Sequence, residues 1–89
     1  MNRVEAIRAA LQAAFDPVLL DIEDESHLHA GHAGARSGKG HFRVRIVSAA
    51  FAGQTPIARH RAVYAALDAL MQTDIHALSI QAQTPEQSS

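Results

Sequence analysis

His41-Phe42-Arg43-Val44-Arg45-Ile46-Val47-Ser48 alternates apolar and charged side chains along most of its length. A period of two places Phe42, Val44 and Ile46 on one face of a β-strand and Arg43 and Arg45 on the other. One face is suited to a core, the other to solvent or a partner. Upstream, residues 18–24 repeat the pattern, with Val18, Leu20 and Ile22 set against Leu19, Asp21 and Glu23. Residues 25–40, between the two, hold four of the five glycines together with His27, His29 and His32. No hydrophobic period survives there, so the segment reads as a loop joining an antiparallel pair.

Working outward, Thr55-Pro56 supplies an N-cap with proline at the first helical position. The spacing predicts a helix over residues 56–71 whose buried stripe is Ile57, His60, Tyr64, Leu67 and Met71, widened by Val63 and Leu70. On that reading His60 is buried and Arg59 and Arg61 point outward on either side of it. A third strand is expected over residues 75–83, with Leu78, Ile80 and Ala82 sharing the inward face with His76. At the other end, residues 3–15 form a helix: Asn2 caps it, Glu5 completes a capping-box pattern, and Val4, Ile7, Leu11, Ala14 and Phe15 stripe one side. Asp16-Pro17 ends it, since the residue before proline is displaced from the helical region.

The order is α-β-β-α-β, an α/β (α+β) domain with a three-stranded mixed sheet and its helices packed on one face. The domain is expected over residues 1–84, followed by a polar, frayed tail at 85–89. Strand, helix, strand is a crossover, which requires a parallel pairing. The third strand therefore starts at the end of the sheet where the histidine loop lies. Topology alone brings His76 to the edge that carries His27, His29 and His32.

The chain has 89 residues, 47% of them apolar and 19% charged, which fits one globular domain. Cysteine is absent. Disulfides, thiolate metal sites and cysteine catalysis are excluded together, so metal binding must use imidazole or carboxylate. No membrane-length apolar run and no secretory signal is visible, which makes the cytoplasm the expected address. The net charge of −1 conceals an asymmetry. Residues 36–61 carry Arg36, Lys39, Arg43, Arg45, Arg59 and Arg61 and no acid, whereas residues 16–25 carry Asp16, Asp21, Glu23, Asp24 and Glu25 and no base. Such blocks read either as solvated faces or as a directed surface for partners.

Taken alone, the histidine loop reads first as a polar surface segment and His76 as an ordinary strand-edge histidine; their convergence on one edge favours ligation. Gly31-His32-Ala33-Gly34 spells a nucleic-acid GXXG loop but lies between strands rather than helices. No phosphate-binding loop, dinucleotide fingerprint or nucleophile–base set is present, so no enzymatic activity is expected.

Three stretches together resemble the BolA family: 20–26 leading into the histidine loop, 40–64 with its Arg59-His60-Arg61-Ala62-Val63-Tyr64, and Ile75-His76-Ala77-Leu78-Ser79-Ile80. The resemblance implies a class II KH-like fold. It implies a monothiol glutaredoxin partner and a heterodimer bridged by a [2Fe–2S] cluster, with no cofactor expected in the isolated chain. The ligands it implies here are His29 in the loop, with His27 and His32 as alternates, and His76. A glutaredoxin cysteine and glutathione would complete the four ligands the cluster needs. The family is also described as DNA-binding transcription regulators, for which Arg43, Arg45, Arg59 and Arg61 form the candidate contact surface. Whether the free chain is monomer or homodimer is left open, and no membrane partner is expected.

Overall fold

The computed structural model describes residues 2–26 and 39–88. His27, His29, His32 and Arg36 lie outside the described residues.

Helix α1 (Arg3–Phe15) begins where expected, with the Glu5 amide donating to Asn2 Oδ1 at 2.8 Å. It ends at Asp16, which takes a left-handed backbone (φ 44°). Strand β1 (Leu19–Asp24) pairs antiparallel with β2 (Gly40–Val47), which pairs parallel with β3 (Ile75–Gln83). The sheet order β1-β2-β3 puts the decisive stretch in the centre. Phe42, Val44 and Ile46 are buried as their alternation requires, against Ile7 and Leu11 of α1 and against Phe51, Val63, Leu67 and Ile75. Burying each such side chain stabilises the fold by about 1.5–3 kcal/mol. Val18, expected to join the inward face, precedes the strand and stays 72% exposed.

After β2, Ser48 caps a short 3-10 turn (Ala49–Phe51), and Gly53 takes the positive φ of 76° that ends it. Thr55 accepts the Ala58 amide at 3.1 Å and opens helix α2 (Pro56–Ala66). The single helix expected to run to residue 71 is instead two. Leu67 leaves helical geometry (φ −102°, ψ 11°) and a shorter α3 (Asp68–Thr73) follows. Leu67 is fully buried and serves as the pivot between them.

The stripe expected on α2 is also corrected. Ile57 is 65% and Tyr64 39% exposed, and His60 faces solvent. The buried line is Arg59, Val63 and Leu67, spaced i, i+4, i+8. Arg59 therefore does not point outward. It is 9% exposed, and its guanidinium donates to the Gln54 carbonyl at 3.0 Å, the Ala82 carbonyl at 3.1 Å and Gln87 Oε1 at 2.7 Å. Those acceptors explain how a charged group is tolerated inside.

The same contacts correct the frayed tail. Thr84 is buried, its amide donates to Gln87 Oε1 at 2.9 Å, and a short helix α4 (Pro85–Ser88) closes over Arg59. Ser48 completes this end of the molecule. Its hydroxyl donates to the Phe15 carbonyl at 2.6 Å and accepts the Ala50 amide at 3.1 Å, and its amide donates to the Gln83 carbonyl at 3.0 Å. Phe15 packs on Phe51 with ring centroids 5.0 Å apart.

Candidate functional site

At the opposite end of β2 the ladder is irregular. Gly40 pairs with Ile75, but the next residue, His41, pairs with Ala77, so β3 carries one extra residue at His76. A bulge of this kind turns a side chain out of its alternating position. Ile75 takes the buried place and His76 is exposed, although Leu78, Ile80 and Ala82 behind it do pack against the core as expected. His76 thus reaches the predicted edge but not the predicted face. Its ring lies 5.2 Å from that of His41, centroid to centroid, at an interplanar angle of 48°.

The backbone around His41 is held from three directions. The Gly40 amide donates to the Asp74 carbonyl at 2.8 Å, the Glu25 amide to the His41 carbonyl at 2.8 Å, and the His41 amide to Ser26 Oγ at 3.1 Å. Gly40 is required by close approach: a Cβ there would lie 2.7 Å from both the Phe42 ring and Ser26 Oγ. Asp74, which anchors the start of β3, is itself fixed. The Thr73 hydroxyl at 2.8 Å and the Arg3 guanidinium at 3.2 Å hold its carboxyl below the usual carboxylate range. Both ends of the histidine loop, Ser26 and Lys39, therefore leave the sheet beside His41 and His76. His41 was not singled out by periodicity, because it occupies an ordinary first position in a strand.

Strands β1, β2 and β3 present a second feature on the face away from the helices. The register sets Asp21 opposite Arg45 and Glu23 opposite Arg43, pairing opposite charges across the sheet. Arg43 also meets Glu25 at 3.2 Å. Arg8 reaches round from α1 to the Leu20 carbonyl at 3.3 Å. Arg8, Asp21, Glu23, Arg43, Arg45 and Gln81 line an open groove of about 510 Å³. Of the four arginines in the expected contact surface, Arg43 and Arg45 share this face, Arg61 is exposed on α2, and Arg59 is withdrawn into the fold.

A family profile described as BolA-like protein matches residues 11–87. The chain is 46% identical to protein BOLA1, chloroplastic, of Arabidopsis thaliana over 98% of its own length and 56% of that protein's. It is 41% identical to the DNA-binding transcriptional regulator BolA of Escherichia coli (strain K12), covering 90% of this chain and 73% of that one. Its structure superposes on BolA1 from Arabidopsis thaliana with a TM-score of 0.87 at 44% identity, over 100% and 98% of the two chains. The chain spans little more than half the length of the plant protein it matches in sequence.

Proposed function

The chain belongs to the BolA-like family, and on that premise we propose that it is a non-enzymatic adaptor that shares a [2Fe–2S] cluster with a monothiol glutaredoxin. The observation that carries the reading is the bulge at the start of β3. It holds His76 at the surface, next to the two points where the histidine loop leaves the sheet. The donor chemistry fits a shared cluster. The chain has no cysteine, and among the described residues no group of three histidines or carboxylates could hold a metal. Completing four ligands then requires a second molecule, for which a glutaredoxin cysteine and glutathione are the proposed sources. His76 and His29 would hold iron from this side, His27 and His32 being alternates for the second. When bound, the cluster supplies iron, sulfide and a redox couple, and imidazole in place of thiolate raises its potential. The chain's own part is to present imidazoles from a braced backbone, with the charged outer face of the sheet available for docking.

A cytoplasmic address belongs to the same proposal; the plant relative is described as chloroplastic, and among the described residues no helix is long and apolar enough to cross a membrane. A second reading, DNA binding in transcriptional control, is favoured by the description of the E. coli relative and by the exposed Arg43 and Arg61 with the half-buried Arg45. Affinity carried by phosphate contacts would fall steeply with salt, whereas a metal bridge would not.

Reconstitution of the chain with a monothiol glutaredoxin, iron, sulfide and glutathione tests the first reading. Visible circular dichroism should show a cluster distinct from that of the glutaredoxin homodimer, and His76→Ala should abolish the difference; His29→Ala tests the loop ligand. Spectra identical to those of glutaredoxin alone would overturn the reading and leave salt-sensitive DNA binding in its place.

A further inference from the structure

We propose that His41 and His76 form a mononuclear site for a borderline divalent transition ion such as Zn²⁺, which the chain can occupy without any partner. An ion about 2.0–2.1 Å from one nitrogen of each ring, at a near-tetrahedral angle, sets the two imidazole centroids about 5 Å apart. The observed separation is 5.2 Å, and the 48° tilt is not that of face-stacked rings. Each imidazole has two nitrogens, so one can ligate while the other keeps a hydrogen bond that orients the ring.

The pair is built rather than incidental. His76 comes to lie beside His41 only because the ladder slips by one residue between Gly40 and His41, which gives Ile75 the buried position. The slip is stabilised on both strands. Gly40 donates to Asp74, Ser26 and Glu25 fix the two backbone groups of His41, and the Asp74 carboxylate is tied to Arg3 and Thr73. Backbone held in this way keeps the rings together without an ion present. A regular parallel ladder would have turned the His76 imidazole toward the core.

His41 is partly buried and His76 exposed, which leaves one side of the pair open to solvent. Among the described residues no third histidine, cysteine or carboxylate joins them. Glu25, which borders the adjoining recess, is engaged by Arg43. Water would fill the remaining positions, giving an open and exchangeable site rather than a closed structural one. The site does not rest on the cluster reading, although both use His76: it requires neither glutaredoxin nor sulfide.

The test is a calorimetric titration of the full, cluster-free chain with ZnCl₂, accompanied by long-range ¹H–¹⁵N spectra of the histidine rings. His41→Gln, His76→Gln and the combined His27→Gln/His29→Gln/His32→Gln variant are titrated beside it, each first checked for native amide spectra. One ion should bind, shifting ring nitrogens of His41 and His76. Either single substitution should weaken it by about tenfold or more, since losing a ligand costs no less than losing a group that orients one. The combined loop variant should bind as the wild type does. Absence of binding, unchanged affinity in His41→Gln, or a loss in the loop variant as large as in the single ones would overturn the proposal. Should His41→Gln fail to fold, ring shifts confined to the loop histidines of the wild type would overturn it equally.

Discussion

Strand β2 ends at Val47 in a region where Ser48 and Arg59 are tied to distant parts of the chain, and begins at Gly40 in one where the ties serve to hold two imidazoles side by side. At the first end, Ser48 joins α1, the 3-10 turn and β3, and Arg59 joins α2, β3 and α4. At the second, the bonds of Gly40, His41 and Asp74 are short and specific, yet they stabilise a bulge that a plain ladder would not contain. The comparison teaches that one strand can be a structural clamp at one end and a braced platform at the other. Substitutions should therefore cost stability at the first and site geometry at the second.

The strongest way to break this contrast is at Arg59. Removing its guanidinium leaves the Gln54 and Ala82 carbonyls without their donor inside the fold, so Arg59→Ala should destabilise the chain by about 3 kcal/mol in urea unfolding. Arg61→Ala, two positions along and exposed, should stay within about 0.5 kcal/mol. Equal effects would mean that the clamp is not where the hydrogen bonds place it.

Gly40→Ala acts at the other end. The added methyl meets the buried Phe42 ring and Ser26, and relief requires the start of β2 to shift, at about 1–3 kcal/mol. Its ¹H–¹⁵N spectra should show displaced His41 and His76 rings, whereas Arg59→Ala should leave those rings in place. A Gly40→Ala variant with unmoved histidines would separate the glycine from the platform.

The smallest effect is the pH dependence at Asp74. Because its folded pKa is lowered below the ordinary 3.8 by the Thr73 hydroxyl and by Arg3, its contribution is present above that ordinary value. It is lost as pH falls through the folded one. Melting temperatures of wild type and Asp74→Asn should thus differ at neutral pH and converge in acid. A difference that persists at the lowest pH would assign the effect to geometry rather than charge.

The fold was legible because it is carried by local signals: the caps at Asn2 and Thr55, the stop at Asp16-Pro17, and the alternation of 42–46. Each depends on neighbours in the chain. What escaped was non-local. Both candidate stripes of α2 pass through Leu67, and choosing between Ile57-His60-Tyr64 and Arg59-Val63 requires knowing that the Ala82 carbonyl and Gln87 wait beneath the helix. An arginine is assigned outward until its acceptors are seen. The slip at His76 likewise has no local signature, since period two extends unbroken from His76 to Ala82. Topology correctly brought His76 to the loop edge, but His41, its neighbour across the bulge, carried no mark of its own. The expected ligand His29 lies outside the described residues.

A three-stranded sheet has two borders, and an unguarded border is a template onto which another chain can add a strand. In this molecule side chains hold carbonyls at both outer strands. Arg8 donates to Leu20 on β1, while Tyr64 and Arg59 donate to Leu78 and Ala82 on β3. Runaway self-assembly through backbone pairing is discouraged at its points of nucleation, by side chains that also position α1 and α2. The same arrangement makes the chain choosy about company: a partner is steered toward side-chain chemistry at the open corner, and away from simply lengthening the sheet.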